Sequence, residues 1–132
     1  MTIVVDTSAL AAVVLGAPDA EALLSAMSEH AGDIHVSAAS RLEAGIVVEA
    51  RQGPEASADL QTLLDSLAAA IEPVDAEQAL GALVAWRRFG KGRHPAGLNF
   101  GDCFSYALAK ALAAPLLFKG DDFPQTDIQS AI

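Results

Sequence analysis

Four stretches of the chain set carboxylates among hydroxyls and glycines: Asp6-Thr7-Ser8, Ser40-Arg41-Leu42-Glu43-Ala44, Asn99-Phe100-Gly101-Asp102 and Gly120-Asp121-Asp122. Carboxylates gathered in one pocket repel each other and hold some members protonated unless a cation joins them. Oxygen donors without a cysteine or histidine cluster select hard ions, Mg²⁺ or Mn²⁺, over Zn²⁺. Such an ion activates water for in-line attack on a phosphodiester. His30, His35 and His94 have no metal-ligand spacing, and Cys103 beside Asp102 reads as a small buried hydrophobe.

Those acids matter only if the fold brings them together. Thr2-Ile3-Val4-Val5 reads as a buried strand ending at Asp6, followed by a helix over 7–15 and a second helix from Asp19 to about Ala31. Ile34-His35-Val36 is a strand, and Ser37 caps a helix reaching Arg51. A helix from Glu55 to Ala70 precedes a short strand, Ile71–Val74, whose Pro73 suggests an edge position or a strand end. Asp75 and Asn99 cap two more helices, ending near Phe89 and Ala113, with a glycine-rich loop between them. Pro115–Lys119 is the last strand. Strands alternating with helices, without a hairpin signal, predict one α/β domain over 1–132 with a mainly parallel sheet of four to five strands. Ligands of such sheets bind beyond the strands' carboxyl ends, where Asp6 and Asp121-Asp122 fall if the first and last strands are neighbours.

Each acid also has a plainer reading. Asp6 could cap the helix behind it, Asp102 could favour its helix dipole, and Asp121-Asp122 could be turn residues. Glu43 resists such treatment: Ala39, Ile46, Val47 and Ala50 share its helix face, which is expected to pack on the sheet. A carboxylate buried there needs a partner or a function. For all of these acids to be incidental, every plain reading must hold at once.

Composition excludes several classes. At 132 residues, with 52% hydrophobic residues and a single cysteine, the chain fits one soluble domain of a reducing compartment. No apolar run approaches the ~18 residues of a membrane span, so a cytoplasmic place without membrane contact is expected. The net charge of −9 hides an uneven distribution. Residues 1–80 carry 13 acids and 2 bases, whereas 81–119 carry 6 bases and one acid. Arg87, Arg88, Lys91, Arg93 and His94 make one basic segment, able to grip a polyanion or simply to be a solvated helix end and loop. Trp86 at its edge reads as an anchor of its helix in the core.

The stretches Ile3–Leu10, Ser40–Ala44, Gly97–Ala107 and Leu116–Phe123, in this order and spacing, resemble PIN-domain ribonucleases, specifically VapC-type toxins of toxin–antitoxin modules. The resemblance covers essentially the whole chain. It implies a three-layer αβα sandwich, an endoribonuclease using Mg²⁺ or Mn²⁺, a homodimer, and a cognate VapB-type antitoxin whose C-terminal segment enters the active-site groove. Asp6, Glu43 and Asp102 match the family's metal-site acids. The fourth acid falls at Asp121-Asp122, with Asp122 favoured, and Thr7 and Ser8 match the hydroxyl pair that orients the first acid or a water.

Two other classes compete. A non-catalytic RNA- or protein-binding module on the same scaffold would keep the fold without turnover. A receiver-like or phosphatase domain would use Asp6 as nucleophile, yet Ser8 stands where such phosphatases carry a second acid.

Overall fold

A computed structural model describes all residues, 1–132. Its elements are β1 (Ile3–Val5), α1 (Thr7–Leu15), α2 (Ala20–Glu29), β2 (Ile34–Ser37), α3 (Ala38–Gln52), α4 (Pro54–Ser66), β3 (Ala70–Glu72), α5 (Ala76–Phe89), α6 (Phe100–Leu112) and β4 (Leu116–Leu117), then a 3₁₀ turn at Phe123–Gln125. The four strands form one parallel sheet in the order β3-β2-β1-β4.

The period-2 alternation of a strand divides the core. Ile3 and Val5 join Leu10, Met27, Val48 and Leu60 on the α1–α4 side, whereas Val4 joins Ala85, Leu98, Tyr106 and Leu116 on the side of α5 and α6. Helices thus cover both faces of the sheet and bury β1 and β4, while the edge strand β3 stays partly exposed, an αβα sandwich. No single helix is long and apolar enough to cross a membrane.

The predicted caps are present: Asp6, Ser37, Asp75 and Asn99 each accept a backbone N–H at the start of a helix. Four expectations need correction. The helix read to Ala70 ends at Ser66, because Ala68 turns left-handed (φ 50°) and Ala70 pairs with His35 in the sheet. Tertiary pairing there overrides alanine's helix preference. The last strand holds only Leu116–Leu117, its outer edge bonded by the tail through Leu116 N–H to Gln129 O (2.9 Å) and Ala131 N–H to Leu116 O (2.9 Å). Trp86 is 40% exposed; Ala82, Ala85 and Phe89 anchor its helix instead. The face of α3 that bears Glu43 does not lie on the sheet: Ser40, Ala44 and Val48 do, leaving Leu42 and Ile46 exposed and Glu43 half-buried at the rim toward α6.

Candidate active site

β1 and β4 run side by side, with Asp6 N–H donating to Leu117 O (2.9 Å). Asp6 and the Gly120-Asp121-Asp122 turn therefore leave the sheet at the same end. Asp6 is 2% exposed and heavily bonded. Its Oδ2 accepts from Ser8 N–H (3.0 Å) and Ser8 Oγ (2.7 Å), and its Oδ1 accepts from Ser105 Oγ on α6. Ser105 Oγ in turn meets Ser40 Oγ on α3 (3.1 Å), both fully buried. Ser8 Oγ also accepts from Lys119 N–H (3.0 Å), tying the segment after β4 to the same carboxylate. Thr7 plays a different part from its neighbour, donating through Oγ1 to Ser40 O (3.1 Å) and so clamping α1 to α3.

Asp102 stands at the third position of α6 in a capping box. Its N–H donates to Asn99 Oδ1 (2.9 Å) and its Oδ2 accepts from Asn99 N–H (3.0 Å). Burial pushes the Asp102 carboxyl up to about 7; the Asn99 bond opposes this, and the charges of Asp6, Asp122 and Glu43 add to it. Asp102 thus feels three other acids from three other segments. Asp122, from the turn after β4, is one of the charges that act on it.

Glu43 reaches the same place from α3. Its carboxylate lies over Gly101, so near that a Cβ there would fall 2.6 Å from the carboxylate carbon and closer still to both oxygens. Beside it runs a shallow groove lined by Leu42, Ile46, Phe100 and Phe104. The acids do not close into a ligand cage: no group of three His, Cys, Asp or Glu stands ready to hold an ion. An ion that keeps several waters and takes one or two carboxylates directly does not require one. A set of oxygen donors in which burial, with added repulsion from neighbouring acids, raises one member's carboxyl is chemically suited to such a cation.

The basic segment separates into two groups. Arg88 is committed to structure, within 3.6 Å of Asp127 and 3.3 Å of Tyr106 Oη. There Lys110 (2.9 Å) and Tyr106 also bind Asp127, and although burial pushes that carboxyl up, these bonds hold it below its ordinary value. His94 is half-buried, its Nδ1 accepting from Ala96 N–H (3.0 Å) and its ring set edge-on to Phe89. Arg87 and Lys91 are exposed, and Arg93 lies over the Trp86 ring at 4.7 Å while bonding Arg87 O (3.2 Å). Cys103 is buried, donates to Asn99 O, and has its thiol pushed up to about 11 by burial.

Sequence reading missed Ser40, Ser105 and Gly101. The two serines had a visible signal, being polar side chains on helix stripes otherwise apolar. Gly101 had one too, a glycine inside the first turn of a capped helix, where neither a turn nor a cap calls for it.

Comparison with known proteins gives the family and the fold. The PIN domain family profile matches residues 3–129. Ribonuclease VapC of Mycolicibacterium smegmatis is 50% identical over 125 residues, spanning 95% of this chain and 96% of that protein. Ribonuclease VapC30 of Mycobacterium tuberculosis is 50% identical over 126 residues, 95% of each chain. In fold, the chain matches the crystal structure of Mycobacterium tuberculosis VapC20, described as a sarcin–ricin loop cleaving toxin, with a TM-score of 0.80 at 19% identity over 96% of both chains. The chain belongs to the PIN-domain family and, within it, to the VapC ribonucleases.

Proposed function

We propose that this protein is a metal-dependent endoribonuclease, the toxin of a VapBC-type toxin–antitoxin pair, acting as a single PIN domain in the cytoplasm. The observation that carries this reading is the convergence of Asp6, Glu43 and Asp122 on Asp102, in a chain half identical to ribonucleases. Asp6, Glu43, Asp102 and Asp122 would hold Mg²⁺ or Mn²⁺, with Asp121 beside them. Such an ion, when bound, supplies water activation and neutralises charge developing on the scissile phosphate.

The chain's own residues do the rest. Ser8 and Ser105 fix both oxygens of Asp6, so the carboxylate meets its charge partner without reorganising. Asn99 holds Asp102 against the first turn of α6. Arg87, Lys91 and Arg93 offer cations to the RNA backbone, positioning the strand rather than reading its bases. Arg88 and His94, engaged elsewhere, contribute to that surface mainly by holding its shape.

A cognate VapB-type antitoxin and a second copy of this chain are the expected partners. The exposed apolar side chains Leu42, Ile46 and Phe100, the last 82% exposed, supply a face for the second copy. The test is digestion of total RNA by antitoxin-free protein. Discrete fragments with Mg²⁺ or Mn²⁺ and none with EDTA are expected; fragments undiminished by EDTA overturn the metal-dependent reading, and none under any condition favours a binding module.

A further inference from the structure

We propose that Gly101 is a positioning residue for the reaction: by lacking a Cβ, it seats the Glu43 carboxylate against the first turn of α6, beside Asp102. This rests on the reading of Glu43 as a metal-site acid. Three observations carry it. Gly101 is helical and is not among the glycines with positive φ, so its backbone is open to any L residue. Glycine in a helix is costly relative to alanine, yet it stands in the first turn of the helix that presents Asp102. The space a Cβ would take is filled by the Glu43 carboxylate, an acid from another helix 58 positions earlier in the chain.

The other helical glycines differ. At Gly81 a Cβ would make ordinary contact with Ala107 at 3.4 Å, and at Gly45 the nearest neighbour is the flexible end of Arg41 at 3.2 Å. Only at Gly101 does the missing side chain admit a carboxylate of the site. A methyl group there pushes that carboxylate outward, away from Asp102, because the helix backbone cannot give way as a side chain can.

The experiment compares wild type, Gly101→Ala, Glu43→Gln and the double variant Gly101→Ala/Glu43→Asp. Each is read for melting temperature without metal, for Mn²⁺ affinity by electron paramagnetic resonance, and for RNA cleavage. Gly101→Ala is expected to melt at or above the wild-type temperature, since alanine favours the helix, while Mn²⁺ affinity and kcat fall about tenfold or more with KM little changed. The aspartate of the double variant, one methylene shorter, is expected to clear the new methyl and recover part of both. If Glu43→Gln weakens Mn²⁺ binding but Gly101→Ala binds and cleaves as wild type does, the positioning role is overturned while the metal site stands. If Glu43→Gln leaves Mn²⁺ binding unchanged, the reading of Glu43 itself fails. A Gly101→Ala protein that melts well below wild type, with no recovery in the double variant, assigns the glycine to packing and overturns the proposal.

Discussion

Asp6 accepts three hydrogen bonds, from Ser8 N–H, Ser8 Oγ and Ser105 Oγ, where a helix cap needs one. The surplus fixes the carboxylate in one orientation at the end of β1. Ser105→Ala is expected to cost about 1–2 kcal/mol of stability, because Ser40 Oγ and Asp6 Oδ1 each lose a buried partner. Cleavage should fall further than folding does, which urea denaturation and initial rates measured together would separate. Asp102 has the opposite character, being held near neutrality with a carboxyl at about 7 against an ordinary 3.8. The folded protein therefore keeps a proton there that the unfolded chain has already lost. The metal-free protein accordingly loses stability as pH rises from about 4 to about 7. Asp102→Asn removes that loss; allowing for solvent screening of this half-open group, it should gain roughly 1–2 kcal/mol at pH 8 and almost nothing at pH 4. Thermal melts across that range test the sign. Sequence reading singled out the acids by type and spacing, and its argument for Glu43 assumed a burial on the sheet that the structure does not have. The carboxylate is not buried on the sheet but wedged at a helix–helix rim, and a packing angle between α3 and α6 is a property no single helix stripe encodes.

At the level of elements, the site depends on how α6 begins. Asn99 and Asp102 exchange bonds with each other's backbone, so the cap that starts the helix also orients a candidate site acid. Asn99→Ala should destabilise the protein by about 1 kcal/mol and Asn99→Ser should restore most of it, with cleavage tracking the cap in both variants. Chemical denaturation beside kinetics would show whether the two move together. The caps were readable because Asp, Ser and Asn at a strand-to-helix junction have a local mechanism. The parallel sheet was readable from strand–helix alternation, whereas the strand expected over Ile71–Val74 is Ala70–Glu72, an edge strand that ends before Pro73. The end of α4 was not readable, since Ala68-Ala69-Ala70 is locally helical and leaves the helix only to pair with β2. The covering of β4's outer edge was hidden too, since only the folded C-terminal tail, through Gln129 and Ala131, bonds it.

Across the whole molecule the charge is segregated. Residues 1–80 are strongly acidic, and the bases cluster at the end of α5 and in the following loop. A polyanion approaching an acidic protein needs such a region, and its grip depends on salt. Lys91→Ala should raise KM with kcat preserved and lower the salt slope of RNA binding by about 0.7, the contribution of one single-strand phosphate contact. Arg88→Ala should instead weaken folding, because it releases Asp127 and Tyr106. Anisotropy titrations at several salt concentrations, with melts of the same variants, distinguish the two behaviours. Sequence alone counted four cationic positions and a histidine in this segment, but only the fold tells which are spent on internal bonds. The central claim, that the converging carboxylates are the machinery of RNA cleavage, is tested most directly by Asp6→Asn. That variant keeps the size and most of the hydrogen bonds of the residue while removing its charge. Wild type and variant should fold alike, and with Mg²⁺ or Mn²⁺ the wild type should cut RNA at discrete sites while the variant leaves those sites intact. Cleavage at the same sites and a comparable rate by folded Asp6→Asn protein would contradict the account.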